Sequence, residues 1–304
     1  MTDVAPPSMD AVAAHRWQSG VPAQVPPVSP WLHEEVARRM MERLDIITTQ
    51  PQQWAHWQPV RGGWQAHQAL RARYLQAQTW LVPGSSAEES VLSKSVQRPW
   101  WKVWGQQDQS VGVPPAGAVQ MVWANMALHQ QPRPQELMAQ WHQALAVDGF
   151  LMFSCLGPDT LRELRDVYGT NGWSQPMHEL TDMHDWGDML VQAGFAEPVM
   201  DMERITLTFE TPERMVQELR ELGRNLAVGR DRVMHARAWH GQWLQALSQL
   251  AQPRHGGKLG LTFELVYGHA FKPAPRHRVA QETGIDLFEM RQMLRGSVKD
   301  RSVG

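Results

Sequence analysis

A regular alternation of short apolar segments with amphipathic segments constrains the fold of this chain more than any other feature. The apolar segments have the length and composition of buried strands, and the clearest of them cover residues 119–124, 150–155, 197–209 and 261–271. Between the first two, Leu137, Trp141 and Leu145 recur at helical spacing, so residues 134–146 are predicted to form a helix. Strands that alternate with helices in this way form a mostly parallel sheet with helices on both faces. The predicted fold class is therefore α/β, and the two late strands predict an antiparallel edge strand.

The N-terminal half is less regular but follows the same pattern. Strands are predicted at residues 53–57 and 79–82, and helices at residues 31–49 and 65–74. Residues 83–117 contain scattered Gly, Pro, Ser and Gln and support no prediction. Residues 1–29 are rich in Pro, Ala, Val and Gln, which predicts a flexible N-terminal leader. We therefore expect one domain over residues 30–273, followed by a C-terminal tail at residues 274–304.

Composition narrows the possible partners and the compartment. The net charge of −2 gives no general attraction to nucleic acid or to an anionic membrane. No apolar stretch approaches the roughly 20 residues that span a bilayer, so no membrane segment is predicted. The single cysteine, Cys155, lies in an apolar run, which indicates a buried strand residue and fits a reducing, cytoplasmic setting. His178, His184 and Asp185 do not have the spacing of a zinc site, so no metal is predicted.

Several blocks of the sequence resemble a known family. Residues 122–129, which read Val-Trp-Ala-Asn-Met-Ala-Leu-His, are similar to the fourth-strand segment of methyltransferases that use S-adenosyl-L-methionine (SAM). Residues 157–164, which read Gly-Pro-Asp-Thr-Leu-Arg-Glu-Leu, form the most specific block. With further matches at residues 148–154, 182–195 and 261–269, the chain resembles the malonyl-acyl-carrier-protein O-methyltransferases of biotin synthesis, the BioC family.

The resemblance implies a Rossmann-like class I methyltransferase sheet over residues 30–273. It also implies transfer of a methyl group from SAM to the free carboxylate of a malonyl thioester on acyl carrier protein. This reaction needs little acid–base assistance, because a carboxylate is already nucleophilic and a sulfonium is a good leaving group. Alignment of the two reactants supplies most of the rate. The absence of an obvious catalytic triad is therefore compatible with this chemistry.

Three pairs of residues are candidates for the acceptor side of the site. Asn125 and His129 lie at and after the end of the fourth strand, where ligands bind in open α/β sheets, and are predicted to be catalytic. Asp159 and Arg162 follow the next strand and are predicted to bind substrate. The same is predicted for Arg220 and Arg224, in an arginine-rich segment suited to an acidic carrier protein. For each pair the alternative is a structural cap, an exposed loop residue or a solvated charge.

The segment that should hold SAM departs from the family pattern. That pattern, D/E-x-G-x-G-x-G, falls on residues 58–64, which read Gln-Pro-Val-Arg-Gly-Gly-Trp. Gln58 replaces the acid and Val60 replaces the first glycine. Gly62 keeps a glycine position, and Gly63 completes a turn signal. These four residues are the predicted cofactor-binding residues of the first loop.

A second departure lies at the end of the next strand. Pro83 stands where an acid accepts hydrogen bonds from the ribose hydroxyls of SAM, and Glu88 or Glu89 could replace that acid only after a rearrangement of the loop. The loss of two charge-assisted hydrogen bonds would weaken SAM binding by orders of magnitude. Three functions therefore stay open: the malonyl-thioester methyltransferase, a methyltransferase with another small acceptor, and a catalytically inactive relative that binds an acyl carrier or a protein partner.

Overall fold

A seven-stranded sheet organises the chain in the computed structural model, which describes residues 9–20, 24–96, 109–231, 237–253 and 256–275. The strands are β1 (Gln53–Trp57), β2 (Gln78–Val82), β3 (Gln109–Val111), β4 (Val119–Ala124), β5 (Leu145–Leu156), β6 (Ala196–Phe209) and β7 (Leu259–Phe271). Their order is β3-β2-β1-β4-β5-β7-β6. Only β7 runs antiparallel to its neighbours, β5 and β6. The predicted α/β fold with a mostly parallel sheet is confirmed, and the reversed strand lies one position in from the edge.

Helices cover both faces of this sheet, as predicted. In the described ranges they are α1 (Ala11–Ser19), α2 (Trp31–Glu42), α3 (Pro59–Gly62), α4 (Trp64–Arg73), α5 (Ser86–Val96), α6 (Pro134–Ala144), α7 (Arg162–Thr170), α8 (Met183–Gln192), α9 (Pro212–Leu222) and α10 (Arg237–Ser248). One face packs against α2, α4, α7, α9 and α10, and the other packs against α6 and α8. None of the described helices is long and apolar enough to cross a membrane.

A hydrophobic core lies on each face of the sheet, between the strands and the helices. The central strands contribute side chains to both of these cores, because successive residues of a strand point to opposite faces. In β4, Trp123 packs on the α2 side and Val122 on the α6 side. In β5, Phe150 packs on the α2 side and Cys155 on the α6 side. Burial raises the pKa of the Cys155 thiol, which contacts Trp186 of α8. Strands buried on both faces explain the nearly continuous apolar runs in the sequence.

Residues 9–20 are part of this folded unit rather than a flexible leader. The carboxylate of Asp10 caps α1 by accepting hydrogen bonds from the N–H groups of Val12 (2.9 Å) and Ala13 (3.1 Å). The Asp10 N–H donates to the carbonyl oxygen of Leu226 (2.8 Å), and the carboxylate pairs with Arg230 (2.8 Å). The prediction of a flexible leader therefore does not hold for residues 9–20.

Other boundaries differ from the prediction in smaller ways. The helix predicted for residues 31–49 ends at Glu42 and continues as a 3₁₀ turn at Arg43–Ile46. The segment without a prediction, residues 83–117, contains α5 and the three-residue strand β3, which pairs with β2. The C-terminal tail lies outside the described residues from residue 276 onward. Its separation from the domain stays a prediction.

Candidate active site

The carboxyl ends of β1 and β4 meet at a topological switch point of the sheet. The two strands are adjacent and parallel, whereas the helices that follow them, α4 and α6, pack on opposite faces. Ligands of open α/β sheets bind at such a point. Both strands are followed by a left-handed residue near this edge, Gln58 (φ 53°) after β1 and Met126 (φ 55°) after β4. Left-handed non-glycine residues of this kind are enriched at functional sites. This edge is therefore the candidate active site.

The loop after β1 is a short helix rather than an open glycine-rich turn. It starts at Gln58, whose N–H donates to a carbonyl oxygen of β2 (2.8 Å), and continues into α3. Gly62 is required by close packing, because a Cβ atom there would lie 2.8 Å from the carbonyl oxygen of Asn125. Gly63 has a φ of 119°, a conformation that other residues rarely adopt. These two glycines shape the loop.

Glu88 joins the loops that follow β1 and β2. Its carboxylate accepts hydrogen bonds from the N–H groups of Val60 (3.0 Å) and Gly84 (2.7 Å). The side chain is only 2% exposed. This burial raises the pKa of the carboxyl group to about 7, against the lowering effect of the two hydrogen bonds and of Arg61. Because Glu88 is committed to this connection, it does not replace the acid that is absent at Pro83.

Asn125 connects four segments beneath the same edge. Its side-chain amide donates to the carbonyl oxygens of His33 (2.8 Å) and Gly62 (2.5 Å), and its oxygen accepts a hydrogen bond from the Ser154 hydroxyl (2.6 Å). The side chain is fully buried. The amide therefore holds α2, the loop after β1, β4 and β5 together. The prediction that Asn125 is a catalytic residue at the active-site rim does not agree with this arrangement, in which its amide bonds to three groups of the protein.

A polar cavity of about 440 Å³ lies beside the ends of β1 and β2. Two of the residues predicted to bind the cofactor, Gln58 and Pro83, line it. Its remaining polar lining comes from α1, from the loop after β4 and from α6, and includes His15, Gln18, Gln131, Arg133, Glu136 and Gln140. The predicted cofactor-binding residues that do not line it are Val60, Gly62 and Gly63. We refer to it as the polar cavity.

An apolar cavity of about 320 Å³ lies on the other side of the loop after β4. Its walls come from the end of β5, from β7 and from α7, α9 and α10, with Leu164, Leu219, Trp243 and Phe263 among the apolar side chains. Gln130 lines this cavity, and the next residue, Gln131, lines the polar cavity. The two cavities are therefore neighbours, separated by one loop. Three of the predicted site residues, His129, Arg220 and Arg224, line the apolar cavity.

His129 is buried at this cavity with unused hydrogen-bonding capacity. It is 4% exposed, and neither ring nitrogen has a hydrogen-bond partner among the described residues. Burial, together with the nearby imidazoles of His33 and His178, holds the pKa of His129 well below its ordinary value. A neutral imidazole offers one donor and one acceptor. The alternative of an exposed loop residue is therefore wrong for His129.

Arg220 and Arg224 bring positive charge to the apolar cavity. Neither has a carboxylate partner in the described part of the chain, and burial lowers the pKa of Arg224, with a contribution from Arg220. Two neighbouring arginines differ, because Arg214 pairs with Glu218 and Arg230 pairs with Asp10. The remaining members of the arginine-rich segment, Arg232 and the side chain of Arg237, lie outside the described residues.

Asp159 and Arg162 do not reach either cavity. Asp159 pairs with Arg204 of β6 (2.8 Å), and Arg162 donates to Glu163 (3.4 Å). The charged groups of Asp159 and Arg162 are partly exposed. The structure therefore places these two predicted substrate-binding residues in a surface ion-pair network, because the turn before α7 carries them away from the end of β5.

His178 and His184, whose spacing does not match a zinc site, also bond to different partners. His178 bonds through its ring to the carbonyl oxygen of His129 (2.8 Å), whereas His184 is exposed and pairs with Asp182 (2.8 Å). Within the ranges that the structure describes, no group of three or more His, Cys, Asp or Glu side chains is arranged to hold a metal ion.

Trp17 is a site residue that the sequence did not indicate. The guanidinium groups of Arg61 and Arg224 both lie over its indole ring, at 3.8 Å and 4.8 Å from the ring centre. Its N–H donates to the side-chain oxygen of Gln130 (2.6 Å). Trp17 therefore links the loop after β1, the loop after β4 and the rim of the apolar cavity. The signal available in the sequence was Asp10, a helix-capping residue before a segment of good helix formers.

Comparison with known proteins finds relatives that share one enzyme name. No family model matches the chain. A malonyl-acyl-carrier-protein O-methyltransferase of Gallionella capsiferriformans is 39% identical over 254 residues, which cover 81% of this chain and 85% of the relative. The enzyme of the same name from Laribacter hongkongensis is 35% identical over 267 residues, 85% of this chain and 88% of the relative.

Solved structures support the fold alone. The YcgJ protein of Bacillus subtilis has a TM-score of 0.50 at 11% identity and covers 79% of this chain and 99% of its own. A Bacillus halodurans protein, described as an inferred methyltransferase, has a TM-score of 0.50 at 15% identity. The match covers 78% of this chain and 99% of that protein. The fold is thus shared with distant proteins, whereas substantial sequence identity over most of the chain is shared with the malonyl-acyl-carrier-protein O-methyltransferases. The chain belongs to the malonyl-acyl-carrier-protein O-methyltransferase family.

Proposed function

We propose that this chain transfers the methyl group of SAM to the free carboxylate of a malonyl thioester on acyl carrier protein, as a step of biotin synthesis. The observation that carries the proposal is the pair of neighbouring cavities, one polar and one apolar, the second with two arginines at its wall that have no carboxylate partner among the described residues. The curated relatives support the same reaction because they are named for it. A cytoplasmic location is part of the proposal and is supported by the single reduced thiol.

The polar cavity fits the methyl donor in size and in chemistry. Its volume of about 440 Å³ is within the range of small-ligand sites. The amide of Gln58 and the carboxylate of Glu136 offer donors and acceptors for the hydroxyl, ammonium and carboxylate groups of SAM. When bound, SAM supplies an electrophilic methyl group on a sulfonium. Gln58 and Glu136 would hold the donor beside the loop after β4.

The apolar cavity fits a thioester that ends in a carboxylate. Arg220 and Arg224 would attract and orient the free carboxylate, since no carboxylate of the described protein neutralises them. The apolar walls would surround the acyl segment and exclude water from it. The neutral imidazole of His129 would donate one hydrogen bond to the thioester carbonyl or the carboxylate. Because the carboxylate is ionised at neutral pH, no proton has to be removed, and the contribution of these residues is alignment.

The carrier protein itself is acidic, and the same two arginines would help to dock it. Arg214 and Arg230 contribute less, because each is already paired with a carboxylate. Charge attraction of this kind raises the association rate and weakens as salt is added. We expect binding of the carrier to weaken steeply with ionic strength.

The test is methyl transfer with purified components. The chain is mixed with SAM and with either malonyl-carrier or acetyl-carrier, which lacks the free carboxylate. Mass spectrometry should show one added methyl group on the malonyl carrier and none on the acetyl carrier. Carrier binding without transfer would contradict the proposal and favour the catalytically inactive alternative.

Substitution of the two arginines separates binding from chemistry. We expect the double variant Arg220→Gln with Arg224→Gln to raise KM for the malonyl carrier by about 10-fold or more, from loss of charge-assisted hydrogen bonds. Arg214→Gln is the control, because Arg214 lies on α9 with Arg220 and is already neutralised by Glu218. An equal rise in KM for the control would show that general charge, rather than these two side chains, is responsible.

A further inference from the structure

The ends of β1 and β2 provide no carboxylate for the donor. Gln58 and Pro83 occupy the two positions where the family pattern has acids, and both line the polar cavity. The next acid along the chain, Glu88, is buried and bonded to two backbone N–H groups. Its neighbour Glu89 is exposed and does not line the cavity. A ligand with ribose hydroxyls therefore needs its acceptor from elsewhere.

Glu136 is the one carboxylate that lines the polar cavity in the described part of the chain. It lies in the first turn of α6, where the helix dipole favours a negative charge. Its partner is Arg133, one turn earlier, at 3.1 Å, and both side chains are more than half exposed. An exposed ion pair of this kind is weak. The carboxylate can therefore exchange Arg133 for a ligand.

We propose that Glu136 takes over the role of the missing acid and accepts hydrogen bonds from the ribose hydroxyls of the methyl donor. This inference rests on the proposed function, since it assumes that SAM occupies the polar cavity. The anchoring carboxylate has moved from the end of β2 to the helix that follows β4, across the same cavity. The uncharged side chains of Gln58, Gln131 and Gln140 supply the remaining polar contacts.

The test is calorimetric titration with SAM and with S-adenosylhomocysteine, which keeps the ribose but lacks the sulfonium charge. Glu136→Gln should weaken both ligands by the same factor, about 10- to 100-fold, because one charge-assisted contact is lost in each case. Glu89→Gln makes the same change of charge outside the cavity and should leave both affinities unchanged.

The outcomes separate this inference from the proposed function. If the unaltered chain binds neither ligand at millimolar concentration, the proposed function fails. If it binds both, and Glu136→Gln binds them equally well, only the inference is overturned. A loss confined to SAM would also overturn it, because the carboxylate would then balance the sulfonium rather than hold the ribose. Circular dichroism of each variant establishes that the fold is retained before the titrations are compared.

Discussion

At the scale of single residues, the buried side-chain amide of Asn125, at the end of β4, connects several segments of the fold. Its nitrogen donates hydrogen bonds to the carbonyl oxygens of His33 and Gly62, and its oxygen accepts one from the Ser154 hydroxyl. All three hydrogen bonds are buried. A Cβ atom at Gly62 would collide with the carbonyl oxygen of this same residue. The backbone and the side chain of Asn125 together set the position of the loop after β1.

We expect Asn125→Ala to lower the free energy of unfolding by about 2–4 kcal/mol, because it leaves buried polar groups of His33, Gly62 and Ser154 without this partner. Urea unfolding at neutral pH measures the change. Asn171→Ala is the control: the exposed Asn171 amide also donates to a carbonyl oxygen (2.8 Å), and its loss should cost no more than about 0.5 kcal/mol. Equal losses in the two variants would contradict the connecting role of Asn125.

Buried histidines predict a loss of stability in mild acid. Burial lowers the pKa of His33 to about 4, although its ring N–H donates to the carbonyl oxygen of Arg61 (2.8 Å). The unfolded chain, with a His pKa of about 6.5, binds this proton first, so stability is full above that pH and falls below it. Between pH 7.5 and pH 5.5 this one group should cost about 1.4 kcal/mol.

The variant His33→Asn isolates this effect, because Asn can keep a donor toward Arg61 but does not titrate. We expect the unfolding free energy of the unaltered chain, minus that of the variant, to fall by about 1.4 kcal/mol over the same interval. The comparison is needed because Glu88 acts in the opposite direction: its raised pKa of about 7 adds stability as the pH falls through that value. A difference that does not depend on pH would show that His33 binds its proton equally in the folded and unfolded states, so that burial does not lower its pKa.

At the scale of elements, α1 lines the polar cavity and contacts two residues that line the apolar cavity. It contributes His15 and Gln18 to the polar cavity, while Trp17 contacts Arg224 and Gln130 at the apolar one. A helix of nine residues is too short to be stable by itself in water, so these contacts are what hold it. One helix is therefore in contact with residues of both cavities.

The substitution Trp17→Ala should weaken the packing of α1 against the rest of the domain. Two cation–π contacts and one hydrogen bond are lost, and each is worth about 0.5–2 kcal/mol. Hydrogen–deuterium exchange of residues 11–19 should accelerate by about 10-fold or more. Trp31→Ala is the control, because Trp31 is 59% exposed at the start of α2 and should leave exchange in α1 unchanged. Exchange in α1 that stays the same in Trp17→Ala would contradict the anchoring role of Trp17.

At the scale of the whole molecule, the sequence predicted the sheet better than the site. β4 and β5 are recognisable because strands buried on both faces are nearly continuous in apolar residues. The strand β3 could not be predicted, since its three residues are held by backbone pairing with β2 rather than by an apolar pattern. The inward orientation of Glu88 is likewise a product of the tertiary fold.

The candidate site also depends on contacts that the sequence alone does not predict. His129, Arg220 and Arg224 were predicted from their positions in the sequence and do line one cavity. The contacts of Trp17 with Arg61 and Arg224 join residues that are far apart in the chain, so no local pattern could indicate them. The sequence thus identifies candidate groups, whereas their partners depend on how distant segments meet.

The burial of Cys155 turns the only thiol of this chain into a chemical reporter of global unfolding. A thiol reagent can attack only when β5 is exposed, so the rate of alkylation equals the intrinsic rate multiplied by the fraction of open molecules. For a domain of ordinary stability, labelling should be at least about 10³-fold slower than for the chain in urea. Mass spectrometry after a pulse of iodoacetamide would measure it, and rapid labelling in native buffer would contradict this packing. Any ligand that binds the folded chain should slow the labelling further, so one cysteine can rank methyl donors and carriers without an assay of their chemistry.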